Sequence, residues 1–278
     1  MKKEPIIIIG MHRSGTTMIS KFLEDSGVFM GVNKEINNES IFFLHINNWM
    51  FKQANAYWDL PYSMNLLSGK FKSEIIIYLN RFLTSPYLIR YLGFKNYLKY
   101  RNLKNIDFLW GWKDPRNTFT LELWKKIFPN SKIVHIYRNP IDVSNSLKKR
   151  EGKYLLKNSK KFFYFGKISN YSVRVSYLSE GIKLWEEYLK KVFNLEKNLE
   201  KPIFHLKYEN FLQNPYVEFK NLLDFLEIDL SNEKLKKIVK NVNKNRSYAF
   251  LNDRILVEKY LKIKNKPLIK KLGYNRMI

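Results

Sequence analysis

Ile6-Ile-Ile-Ile-Gly-Met-His-Arg-Ser-Gly-Thr-Thr17 decides the fold. Four consecutive isoleucines read as a parallel strand buried on both faces. Gly10 and Gly15 then permit a tight turn, and the amides that open the following helix form an anion cradle. The spacing is that of a phosphate loop, with one departure. Such a loop carries Lys before its final Ser or Thr, whereas this chain has Thr16 before Thr17. The ammonium that would grip a β/γ-phosphate is absent from the motif, and Arg13 supplies the cation instead. Arg13, Ser14, Gly15, Thr16 and Thr17 are the first candidate binding set.

A glycine-bounded loop alone also fits a plain strand-to-helix turn, so the argument needs its downstream half. Lys132-Ile-Val-His-Ile-Tyr-Arg-Asn-Pro-Ile-Asp-Val-Ser-Asn-Ser-Leu147 is a second buried strand that ends in Arg138 and turns through Asn139-Pro140 into a helix. Arg138 leaves the carboxyl end of the strand and Ser146 lies two turns into the helix. Together they offer a guanidinium fork and a hydroxyl to a further phosphate. Asp142 supports the turn electrostatically at a helix N-terminus.

With these two motifs the chain resembles sulfotransferases that use 3′-phosphoadenosine-5′-phosphosulfate. His12 to Thr17 resembles the loop for the 5′-phosphosulfate, and Arg138-Asn-Pro-x-Asp-Val-x-x-Ser146 the motif for the 3′-phosphate. Lys207-Tyr-Glu-Asn-Phe-Leu212 resembles the family's strand end in which a tyrosine, here Tyr208, lies near the adenine. Trp110-Gly-Trp-Lys-Asp-Pro-Arg116 is similar to the Lys-Asp-Pro element of the tyrosylprotein and bacterial branches, in which the lysine, here Lys113, faces the transferred group. Leu272-Gly-Tyr-Asn275 recurs there too. The resemblance implies an α/β fold of the phosphate-loop type, a three-layer sandwich with a central parallel sheet and helical insertions. It implies this donor, 3′,5′-bisphosphoadenosine as product, and an acceptor hydroxyl on a carbohydrate or glycolipid.

In-line transfer of a sulfuryl group needs charge stabilised on the leaving oxygen and a base for the acceptor's proton. Arg13, Lys113 and the amides of Ser14 to Thr17 suit the first task. A sulfuryl group carries less negative charge than a phosphoryl group, so cationic side chains can replace a metal and none is expected. For the base, Gly31 to Phe43 offers Glu39 and Glu35. Glu39 also fits a helix-start carboxylate. His12 sits in the donor loop and His45 is a further alternative. A phosphate-loop kinase is disfavoured by Thr16, and a noncatalytic anion binder by Arg13, Lys113, Arg138 and Ser146 occurring together.

Fifty Lys and Arg against 25 Asp and Glu give a formal net charge of +25 over 278 residues. The densest basic zones, Lys148 to Lys161, Lys234 to Arg246 and Lys259 to Lys271, alternate with Ile, Leu and Tyr as solvated helix faces do. With no nucleic-acid module, the surplus favours a polyanionic donor, an acidic glycan or peripheral contact with an anionic membrane. Nucleic acid and an obligate protein partner are not implied. The absence of cysteine excludes disulfides and thiolate chemistry. The apolar run Ile6 to Ile9 is too short for a signal core or a membrane span, which predicts a cytoplasmic enzyme.

The remaining pattern predicts helices at Thr16–Asp25, Ser40–Ala54, Leu121–Phe128, Ile141–Arg150, Tyr177–Leu195, Val217–Leu226 and Asn232–Asn241, and strands at Phe108–Trp112 and Ile203–Lys207. Ser73–Tyr100 reads as helices broken near Pro86 and Gly93. One domain spans 1–278, with a helical insertion at about 40–105 and an acceptor-gating loop at about 151–174. The tail from Ser247 is expected to wrap back toward the nucleotide, with Arg246, Arg254 and Lys262 as further phosphate contacts.

Overall fold

A computed structural model describes residues 2–158 and 171–278. Four parallel strands, β1 (Ile6–Ile9), β2 (Gly111–Lys113), β3 (Lys132–Tyr137) and β4 (Phe204–Lys207), lie in the order β2-β1-β3-β4. β1 is central, which explains its composition. Ile7 and Ile9 enter a core shared with Trp112 and Trp124, while Ile6 and Ile8 enter a second core on the opposite face with Ile19 and Leu206. Alternate side chains of a strand face opposite ways, so an uninterrupted apolar run is what two covered faces require.

The helices are α1 (Thr16–Asp25), α2 (Ile41–Gln53), α3 (Gly69–Phe82), α4 (Ile89–Tyr100), α5 (Asn117–Ile127), α6 (Pro140–Asn158), α7 (Leu178–Glu196), α8 (Tyr208–Gln213), α9 (Pro215–Leu226), α10 (Asn232–Val239), α11 (Arg254–Ile263) and α12 (Pro267–Lys271). α1, α9 and α10 contribute to the core of Ile6 and Ile8, and α2, α3, α4 and α5 to the aromatic core around Trp112. There the Phe43 ring stacks on Trp112 at 3.9 Å and 3°. α4 breaks at Gly93, whose φ of 72° lies in the left-handed region, and a short 3-10 turn spans Pro86–Leu88.

Several expected boundaries move: α3 begins at Gly69 instead of Ser73, and three others have a visible cause or consequence. β2 begins at Gly111 instead of Phe108, because the chain before it bonds to Phe29 first: the Phe29 amide donates to Leu109, and Gly111 donates to Phe29. α5 starts at Asn117, where Asp114 accepts from the Arg116 amide and holds the first turn. α6 continues past Arg150 to Asn158, so the first part of the expected gating segment is helix. Residues 159–170 of that segment lie outside the described residues.

The loop after β1 leaves no space for a side chain at Gly10. A Cβ there would stand 2.3 Å from the Ile136 carbonyl oxygen, and φ is +136°. Gly27 also has a positive φ, +100°, but open space around it. Gly27→Ala should therefore cost about 1–2 kcal/mol from its backbone alone. Gly10→Ala should cost a further 1–3 kcal/mol or so, because β1 and β3 must part. Urea unfolding of the two variants checks the difference; equal losses would mean the close approach at Gly10 is relaxed elsewhere.

Candidate functional site

The carboxyl ends of β1, β2, β3 and β4 open into one cavity of about 750 Å³. Its lining includes Arg13, Gly15, Thr16 and Thr17 from the first loop, Glu39 and Lys113, Arg138 and Ser146, Tyr208, and Arg246. The two anion motifs, far apart in sequence, thus share one wall because β1 and β3 are hydrogen-bonded neighbours.

In the first loop, Gly15 caps α1 with φ 106°, and among the described residues no acceptor meets the amides of Gly15, Thr16 and Thr17. α1 has no acidic side chain in its first turn, so its positive end faces the cavity uncompensated. Arg13 takes φ 70°, a conformation that costs a non-glycine residue about 1–2 kcal/mol. Its Nε donates to the Ser146 Oγ at 2.8 Å, which ties the two motifs directly. Burial, then Arg150, Arg246 and Arg138, pull its proton affinity below that of a free arginine. The cations crowd one another here.

The Arg138 guanidinium donates to the Asp142 Oδ2 and to the Arg246 carbonyl, both at 2.9 Å, and lies 4.7 Å over the Tyr208 ring. Its Nε is buried without a partner, as is Ser14 Oγ. Tyr208 also fills the space beside Gly15, where a Cβ would come within 2.4 Å of the ring. The tyrosine is thus a buried spacer between the loop and Arg138 that still borders the cavity.

Behind this wall stands a network that sequence reasoning did not assign. Glu209 accepts from the Asn139 amide and side chain at 2.9 and 2.8 Å, and from the Tyr274 hydroxyl at 2.7 Å. Asp142 accepts from Asn139 Nδ2 at 2.9 Å and from the amides of Ala249 and Phe250 at 3.2 and 2.9 Å. Asp142 therefore does more than complement a helix end: it fastens the C-terminal tail against β3 and α6. Arg246 reaches the cavity with that tail. Arg254 does not; it is exposed and pairs with Glu258 on its own helix, and Lys262, also exposed, stands apart from the lining as well.

At the opposite end Lys113, 1% exposed, donates to Glu39 Oε1 at 2.9 Å, to the Asn37 carbonyl at 2.6 Å, and contacts Thr17 Oγ1 at 3.5 Å. Arg116 bonds to Asp114 at 2.8 Å and lies 3.9 Å from the second Glu39 oxygen. Burial raises the Glu39 pKa above the usual 4.5, with Lys113 opposing; burial also lowers the proton affinity of Lys113. Of the expected bases, Glu39 lines the cavity. Glu35 is exposed and outside it, and His45 bonds to the Tyr87 hydroxyl elsewhere. His12 lines the cavity edge-on to Trp58 at 4.7 Å, its Nε2 buried without a partner, and burial and nearby cations keep it neutral.

A profile of the sulfotransferase family matches residues 5–232, and the chain belongs to that family. No curated protein sequence matches it. Among solved structures, the sulfotransferase domain from the curacin biosynthetic pathway is 17% identical over 99% of each chain, with a TM-score of 0.52. The sulfotransferase domain from the Synechococcus PCC 7002 olefin synthase is 16% identical over 98% of this chain and 95% of its own, at 0.49. Mouse sulfotransferase SULT7A1 complexed with PAP is 14% identical over 98% of this chain and 90% of its own, at 0.46. At such identities the likeness concerns the fold, which is the α/β sandwich expected from the sequence.

Asp142→Ala should strip the acceptor from two backbone amides, Arg138 and Asn139 at once, leaving buried donors unpaired at about 1–3 kcal/mol each. A loss of at least about 3 kcal/mol in urea unfolding, with faster hydrogen exchange at Ala249 and Phe250, is the expected outcome. Unchanged exchange there would show that the tail is held without Asp142.

Proposed function

We propose that the chain transfers the sulfuryl group of 3′-phosphoadenosine-5′-phosphosulfate to an acceptor hydroxyl, on a carbohydrate or glycolipid. One observation carries the reading: two strand-end cradles on a single cavity, each with an arginine, joined by the bond from Arg13 to Ser146. The orphaned Arg138 Nε and Ser14 Oγ, and the bare amides opening α1, fit a ligand with anionic groups at two separated points. The carbohydrate acceptor rests on analogy with the bacterial branch that the motifs resemble.

In this reading the loop amides of Gly15 to Thr17 bind the 5′-phosphosulfate end, the Ser14 amide being spent on the Met11 carbonyl, and Arg138 and Ser146 take the 3′-phosphate. Arg13 stands between them, within reach of Ser146 in the structure, and meets charge as it develops. Lys113 is held by Glu39, Asn37 and Thr17 beside the loop, so its ammonium stabilises the departing oxygen. Glu39 takes the acceptor's proton. Its raised proton affinity brings it nearer the working pH of a general base, and ion pairing with Lys113 keeps it ionised.

Glu39 must be deprotonated to act, so activity should fall as pH drops through its pKa. The acidic limb of kcat/KM should lie above 4.5, the ordinary value, and Glu39→Gln should bind 3′,5′-bisphosphoadenosine normally yet lose at least about 10²-fold in kcat. A limb at or below 4.5, or an active Glu39→Gln enzyme, would remove Glu39 from this role.

Donor recognition is tested separately. Charge-assisted hydrogen bonds to a 3′-phosphate contribute roughly 1.5–3 kcal/mol each, or about ten- to a hundredfold in affinity. Calorimetry should show 3′,5′-bisphosphoadenosine binding at least about tenfold more tightly than AMP. Arg138→Ala should erase most of that difference and leave AMP binding nearly unchanged. Equal affinities in the wild type would defeat the proposed donor, and a preference for ATP would point to a kinase-like enzyme.

A further inference from the structure

Outside the cavity, charge and apolar exposure coincide in one stretch. Between Gly69 and Asn105 the sequence carries eight Lys or Arg and a single acidic residue, Glu74. The same stretch forms α3 and α4, whose inner faces are spent on the aromatic core through Ile75, Leu79, Tyr91 and Leu92. Their outer faces are not polar. On α3, Phe71, Ile77 and Tyr78 are 41%, 48% and 46% exposed; on α4, Phe94 is 67% and Leu98 46% exposed. Phe94 and Leu98 stand four residues apart, and Lys95 and Lys99 share that spacing beside them, so apolar and basic stripes run together along one helix surface.

The basic residues are placed against rings. Arg81 lies 5.4 Å over Tyr78, Arg90 5.1 Å over Tyr87 and Arg101 5.8 Å over Tyr97. Such pairs keep an apolar body beside a charged head. Exposed apolar side chains cost little singly. Lys72 is paired with Glu122 and Lys99 with Asp107, but Lys70, Arg81, Arg90, Lys95, Arg101 and Lys104 make no ion pair among the described residues. Apolar side chains beside such cations have a complement that is apolar below and anionic around it. A bilayer carrying anionic lipid offers both, since its headgroups attract Lys and Arg while the acyl boundary accepts Phe and Leu. Among the described residues no helix is long and apolar enough to cross a membrane, and this surface requires none that is.

We infer that the outer face of α3 and α4 docks the protein peripherally on an anionic lipid surface, with Phe94 and Leu98 as the inserted side chains and Arg90 and Lys95 among the headgroup contacts. This goes beyond the transfer reading and does not depend on it.

Flotation of the full chain with two vesicle types tests it: phosphatidylcholine alone, and phosphatidylcholine mixed with phosphatidylglycerol. The wild type should float with the mixed vesicles only, and less at high salt. Phe94→Ser/Leu98→Ser should weaken that binding by about tenfold or more, with an unchanged circular dichroism spectrum and urea midpoint as the check on folding. Arg90→Glu/Lys95→Glu should also lose it, whereas Lys236→Glu/Lys237→Glu, the same charge change on α10 across the sheet, should not. If both charge pairs weaken binding equally and the Phe94/Leu98 variant binds like wild type, the vesicles are reading net charge and the proposal fails. It fails equally if the wild type does not float, or if the chain is a dimer that the Phe94 and Leu98 substitutions dissociate, since the face then belongs to a second copy.

Discussion

The constraint on which the structure depends is the assembly of cations at one sheet edge. Arg13, Arg138 and Arg246, with Arg150 near, converge on a cavity where burial and mutual repulsion oppose them. Like charges brought together in a partly desolvated cleft cost free energy unless something rigid holds them. The fold answers with carboxylates that are deeply buried and multiply bonded. Asp142 and Glu209 are 5% and 0% exposed; the first accepts from Arg138 itself and both accept from the frame around it. Their bonds fix β3, β4, α6 and the tail relative to one another, so the arginines are positioned by groups that need not touch a ligand.

That arrangement separates two kinds of residue in the chain. Local motifs were legible. The strand of Ile6 to Ile9, the glycines around the loop, the departure at Thr16 and the presence of Arg138 and Ser146 on one cavity could be read because spacing along one strand-to-helix turn decides what is adjacent; that Ser146 bonds to Arg13 and not to Arg138 could not. The return of the tail could be read as well, and the choice between Glu39 and Glu35 narrowed to the carboxylate that the structure buries. The supporting network was not legible. Glu209 meets Asn139 across 70 positions and Tyr274 across 65, and no periodicity encodes which of 25 acidic residues will be enclosed. The signal was nonetheless present in part: Asn139 and Glu209 each lay one residue beyond Arg138 and Tyr208, which had been given roles, and Tyr274 lay in a terminal motif in which no residue had one.

Two of the boundary errors have different causes. β2 was placed too early because Phe108 to Trp110 has strand-like composition, and composition cannot say that Phe29 intercepts the chain before β1 does. α6 was ended too early because basic residues after Arg150 blurred its apolar period. Tertiary pairing overrode local pattern in the first case; the lack of a clean apolar period in the sequence hid the helix in the second.

At the far end of the cavity the pairing of Lys113 with Glu39 has a consequence for the proposed transfer. Each is buried and each depends on the other: burial raises the proton affinity of Glu39 and lowers that of Lys113, while their 2.9 Å ion pair works against both shifts. Removing Lys113 would leave Glu39 with Arg116 at 3.9 Å as its remaining cation, and the carboxylate would hold a proton more readily. The effects of the two residues on turnover therefore cannot add. Losing the ammonium also lowers the fraction of Glu39 that is ionised at a given pH, so the second substitution does not start from the wild-type carboxylate. A motif loop with its own lysine would carry its cation within the loop. Here Arg13 lies within the loop and a second cation, Lys113, reaches it from β2, held in register by a carboxylate from the segment before α2, so positioning that charge and positioning the proposed base are one structural event.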